Sequence, residues 1–137
     1  MSKIAHTARD MIAGMKPDLR PESYVFVTTQ NHEAAATLAP TAIATFREAE
    51  GISMILECSE ARAADFEIES PMRCITLNVF SSLEGVGLTA SVATQLADAG
   101  IACNMVAAYH HDHAFVPEAF ALRALEILTT LESETKQ

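Results

Sequence analysis

The sequence predicts an α+β fold in which helices cover one face of a mainly antiparallel sheet, and three observations lead there. Segments of strand character alternate with amphipathic helical segments. The second half reads β-α-β-β-α. The first half, from Tyr24 to Asp65, reads β-(loop)-β-β-α, so the architecture repeats although the residues hardly do. A chain of 137 residues suffices for one domain or for two small halves sharing a core. We expect one half at 1–70, carrying a leading helix, and the other at 71–137.

Ile4, Ala8, Met11, Ile12 and Met15 share one face of a helical wheel, which predicts an opening helix ended by Pro17 and Pro21. "SYVFVTT" is a strand by its aromatic and β-branched content, and a polar, alanine-rich stretch to Pro40 follows as a loop, with the first helix of this half shortened or lost. "TAIATFREAEGISMILE" reads as a hairpin turning at Glu50-Gly51. Ser59 is placed as the N-cap of a short helix, "SEARAADF".

After Pro71, "MRCITLNVF" alternates, with Ile75, Leu77 and Val79 on one face and Thr76 and Asn78 on the other. The next helix carries Glu84, Ser91, Gln95 and Asp98 on a solvated stripe and Leu88, Val92, Leu96 and Ala99 opposite, and Gly100 ends it. "IACNMVAAY" reads as a strand, "HHDH" as a tight turn and "AFVP" as the returning strand. From Glu118 a last helix turns Arg123, Glu126, Thr130 and Ser133 outward, and "ESETKQ" is expected to fray. No strand follows it, so another segment or a partner must cover that sheet edge.

Half of the residues are hydrophobic and 20% are charged, as in a globular chain. No apolar run approaches the roughly 18 to 20 residues of a membrane span, and the N-terminus lacks the apolar core of a signal peptide. The net charge of −9 opposes a nucleic-acid surface. Cys58, Cys74 and Cys103 form no CxxC pair and suit reduced thiols, so a soluble, cytoplasmic protein is expected.

"ATFREAEGISMIL", "ITLNVFSSLEGVGLTA", "LADAGIACNMVAAYHHDHAFVP" and "RALEIL" resemble the small bacterial proteins built from tandem ACT domains, over roughly Tyr24 to Leu128. The resemblance implies two ferredoxin-like βαββαβ halves and a non-catalytic regulatory module. It implies a small ligand, a free amino acid, bound where ACT domains pair, near the loop from the first strand to the first helix. Carried onto this chain, the loop is Ser81 to Thr89 and the neighbouring strand segment Asn104 to Val106. The candidate ligand-binding residues are therefore Ser82, Glu84, Gly85, Val86, Gly87, Leu88, Thr89, Asn104, Met105 and Asp112.

The chemistry of that set is carboxylate and ammonium recognition. Amides around Gly85, Val86 and Gly87 at a helix N-terminus suit a carboxylate, with Ser82 or Thr89 adding a hydroxyl and Asp112 receiving the ammonium. The plainer alternative is that Ser82 caps the helix and Gly87 permits close packing. No Gly-Lys-Ser/Thr follows, so this is not a phosphate loop. His111 and His113, two apart, would face one side of a strand with Asp112 near, but so short and local a set predicts a structural role rather than a metal site. No nucleophile–base pair stands out, so neither catalysis nor a cofactor is expected. A homodimer is expected, and neither nucleic acid nor membrane as a partner. A ligand-free oligomerisation or interaction module is the alternative reading, and a small metal-dependent enzyme using "HHDH" trails both.

Overall fold

The computed structural model describes residues 7–79 and 87–137, and the chain divides into two compact units. One comprises Glu22–Met72; the other joins Met1–Pro21 to Arg73–Gln137. Ile4 of the opening helix and the loop residues Ser82, Glu84, Gly85 and Val86 lie outside the described residues.

In the unit Glu22–Met72 the strand order is β2-β3-β1, formed by β1 (Pro17–Thr29), β2 (Ala44–Glu48) and β3 (Gly51–Glu57). The expected hairpin forms, with β2 antiparallel to β3 from Ala44↔Ile55 to Glu48↔Gly51. Gly51 has φ +153°, and a Cβ there would lie 2.8 Å from the Thr29 carbonyl oxygen, so the turn needs glycine. β3 pairs β1 from Tyr24↔Glu57 to Thr29↔Ile52. Val25, Met54 and Leu56 point to one face and form a core with Cys58 and Ala61. Phe26, at 45% exposure, and Phe46, at 71%, belong to the other face, since Ile55 pairs both Phe26 and Ala44 and strand side chains alternate.

Two expectations need correction in this unit. The stretch expected as a loop contains helix α2 (His32–Leu38). Asn31 caps it, its side-chain oxygen accepting the N–H of Glu33 at 3.0 Å and of Ala34 at 3.1 Å, and Ala34, Ala35 and Ala36 propagate it at little entropic cost. Ser59 is not a cap: helix α3 (Cys58–Ala63) starts directly from β3 with Glu57 at the N-cap, which leaves Ser59 inside it.

The other unit carries α1 (Ala8–Ala13), β4 (Met72–Leu77), α4 (Leu88–Asp98), β5 (Asn104–Ala107), β6 (Asp112–Pro117), a 3-10 turn at Glu118–Phe120 and α5 (Ala121–Lys136). Its strands follow the order β1-β4-β6-β5. The two prolines do not hold the chain out of the sheet; β1 begins at Pro17, where no ladder donor is needed, and passes through Pro21. The first residues of β1 thereby cover the edge of β4. Met11, Ile75, Leu77, Val92, Leu96 and Leu128 centre the core between this sheet and its helices.

α4 presents Leu88, Val92 and Leu96 inward as expected, whereas Ala99 is its exposed C-cap. Gly100 follows with φ +74°, and the N–H groups of Gly100 and Ile101 return to the carbonyls of Ala97 and Leu96, both at 2.9 Å. This Schellman closure uses Ile101, so β5 starts only at Asn104. The turn is shorter than "HHDH", because Asp112 and His113 already belong to β6. The tail does not fray: α5 continues to Lys136, and Glu132, 8% exposed, accepts the N–H of Lys16 at 2.7 Å. Among the described residues no helix is long and apolar enough to cross a membrane.

Candidate functional site

α4 opens at Gly87, its N-cap, in a left-handed conformation with φ +109°. The first helical turn receives no side-chain cap among the described residues, so its leading amides are not satisfied by a neighbouring hydroxyl or carboxylate there. A Cβ at Gly87 would lie 2.6 Å from the Cβ of Ala8. Glycine is thus required both by the dihedral and by the approach of α1. Of the expected ligand residues on this helix, Thr89 is exposed on the first turn, while Leu88 is 3% exposed and belongs to the core.

The expected residues on the strands do not converge. Asn104 stands opposite Phe115 and Asp112 opposite Ala107, at opposite ends of the β5–β6 ladder. Alternation puts Asn104 on the face of His113 and Phe115, and Asp112 on the face of Ala114, where the helices pack. Met105 is half-buried against that core.

The histidines are engaged by the protein. His111 Nδ1 lies 3.2 Å from the carbonyl of Val79 and therefore carries the proton it donates. His113 Nδ1 lies 3.0 Å from the hydroxyl of Thr76. Among the described residues no group of three His, Cys, Asp or Glu side chains could hold a metal. All three cysteines are free, and burial pushes the thiol of Cys103 up from its ordinary value, away from thiolate chemistry.

Sequence reasoning missed the polar line centred on Thr76. Its hydroxyl, on a residue 5% exposed, accepts from Arg20 Nε at 3.0 Å, meets His113, and has Cys74 Sγ at 3.9 Å. Three adjacent strands, β1, β4 and β6, are joined by it. Burial lowers the His113 pKa first, with the charges of Arg20 and His111 adding to the effect. The alternation of "MRCITL" placed Thr76 opposite Ile75 and Leu77; that this second face is also buried was not readable there.

With this geometry in view, the likeness to known proteins falls into place. ACT-domain family models match residues 7–73 and 69–130. A Vibrio cholerae protein of unknown function, described as a possible transport protein, is 39% identical over 90% of this chain and 94% of its own, with a TM-score of 0.79. The ligand-free regulatory subunit of aspartate kinase from Thermus thermophilus superposes over 84% of this chain and 95% of its own, at 12% identity and a TM-score of 0.56. Aspartokinase III of E. coli, in complex with aspartate and ADP, matches 84% of this chain with 32% of its own, at 14% identity and a TM-score of 0.62. At such identities these last two share the fold. No curated protein matches. Two ACT matches in tandem, on an α+β fold of the kind that regulatory subunits of aspartate kinase display, place this chain in the ACT-domain family as a small tandem ACT-domain protein.

Proposed function

We propose that this chain is a non-catalytic regulatory module that binds a free amino acid at an interface between ACT domains, and that it acts as a homodimer in the cytoplasm. In this reading the two ACT repeats divide near residue 70, which family matches to residues 7–73 and 69–130 support. The observation that carries the ligand reading is the start of α4: a left-handed glycine followed by a helical turn that no described side chain caps. Such a terminus offers N–H groups and a partial positive charge to a carboxylate. The loop glycine Gly85 and Ser82 complete the proposed cradle, with Thr89 on the exposed first turn. Asp112 remains the proposed partner of the ammonium, reached from the strand side. Three free cysteines favour a reducing compartment.

Thermal unfolding with each standard amino acid tests the reading. The cognate ligand at about 100 times its dissociation constant should add ~2.7 kcal/mol, a rise of several degrees, while most others add nothing. Gly85→Val, Thr89→Val and Asp112→Asn should each reduce the rise. Gly87 is a poor probe, because its substitution strains α1 whether or not a ligand binds. An unchanged melting temperature with every amino acid would favour the second reading, a ligand-free interaction module, which the exposed Phe26 and Phe46 support.

A further inference from the structure

The hydroxyl of Thr76 has one proton and two lone pairs to distribute among three neighbours. Arg20 Nε can only donate, so it occupies one lone pair. His113 Nδ1 at 3.0 Å and Cys74 Sγ at 3.9 Å then compete for the hydroxyl proton. A bare imidazole nitrogen is much the better acceptor. An imidazolium, however, must itself donate from Nδ1, and that donation fills the second lone pair and leaves the hydroxyl proton only the sulfur.

We propose that Thr76 is a two-position hydroxyl switch set by the charge of His113. With the imidazole neutral, a single donor chain runs from Arg20 through Thr76 to His113 and ties β1, β4 and β6 together. With the imidazole protonated, the hydroxyl turns to Cys74 and the tie weakens, since guanidinium and imidazolium then both donate to one neutral oxygen.

The groups around His113 in its own unit support this arrangement. From β1 comes Arg20, and from β4 the uncharged Thr76 and Cys74. From β5, Val106 stands opposite and brings no charge. The turn brings His111, which also opposes protonation, and alternation sends Asp112 to the other face of β6. The switch concerns this polar line alone and stands whether or not an amino acid binds at α4.

Long-range proton–nitrogen NMR of the full chain tests it, with the His113 ring assigned by comparison with His113→Gln. At about pH 8, well above the ordinary imidazole pKa of about 6.5, the expected tautomer has a bare Nδ1 and a protonated Nε2. On acidification the ring should titrate below that ordinary value. Thr76→Val, which removes the hydroxyl at constant shape, should raise the His113 pKa, and Thr76→Ser should leave it near the wild-type position. A protonated Nδ1 at the higher pH would overturn the switch, as would a Thr76→Val protein titrating like the wild type. Should Thr76→Val fail to fold, the tautomer in the unaltered protein and the Thr76→Ser titration still decide.

Discussion

At the level of single residues, Glu132 shows how one carboxylate can hold two distant segments. Lys16 has φ +41°, an uncommon conformation for a side chain with a Cβ, and its N–H points at the Glu132 carboxylate rather than into the sheet. Lys136, one turn on, adds only a long ion pair at 3.9 Å. Glu132→Ala would leave a part-buried N–H without its acceptor, at a cost of about 1–3 kcal/mol in urea unfolding, and Glu132→Gln, which keeps an oxygen there, should lose less. Equal losses would show that the hydrogen bond is not what matters. His113 yields a pH prediction of its own. Its folded pKa lies below the unfolded value of about 6.5, so the unfolded chain binds more protons as pH falls past that point. Stability is therefore unaffected above about pH 6.5 and declines below it until the folded ring is protonated as well. Calorimetry on His113→Gln should show a shallower fall in melting temperature between about pH 7 and pH 5 than the wild type shows.

Among the elements, α4 is bounded by two left-handed glycines that serve different ends. Gly100 has open space where a Cβ would go, so its dihedral alone favours glycine. Gly87 combines a left-handed dihedral with a Cβ position 2.6 Å from Ala8, so the start of α4 and the start of α1 are fitted to one another. Gly100→Ala should cost about 1 kcal/mol. Gly87→Ala should cost more, and Ala8→Gly in the same chain should recover the steric share while leaving the dihedral strain. The double-mutant cycle measures that share directly, and additive losses would remove Ala8 from the account.

For the whole molecule, the question is what meets the sheet face of the unit Glu22–Met72. Phe46 is 71% exposed on β2, the outermost strand of that unit, and Phe26 shares its face. Exposed aromatics on and near the outermost described strand are a surface that a second chain can cover. Under the homodimer proposal, Phe46→Glu should halve the mass seen by light scattering and shift intrinsic stability by no more than about 0.5 kcal/mol, as for other exposed positions. A wild-type protein that is already monomeric would remove the proposal.

What the sequence by itself determined was whatever depends on neighbours along the chain. The hairpin at Glu50-Gly51, the inward row Leu88, Val92 and Leu96, the outward row Arg123, Glu126, Thr130 and Ser133, and the junction glycine at Gly87 were all legible, because alternation and helical periodicity act over a few residues. Tandem ACT architecture was legible on different grounds, through the resemblance of four segments to that family, which the two family matches bear out. Other features were decided only in the tertiary structure. Arg20 meets Thr76 across 56 residues, His113 meets Thr76 across 37, and Glu132 meets Lys16 across 116. No local period encodes such meetings; they arise when strands that are remote in sequence become neighbours in a sheet. Burial then makes an ordinary Thr or Glu consequential, because a polar group removed from water must find its partner inside the protein. The extension of β1 through Pro17 and Pro21 follows the same logic, for the gain of covering the edge of β4 outweighs the donors that two prolines lack.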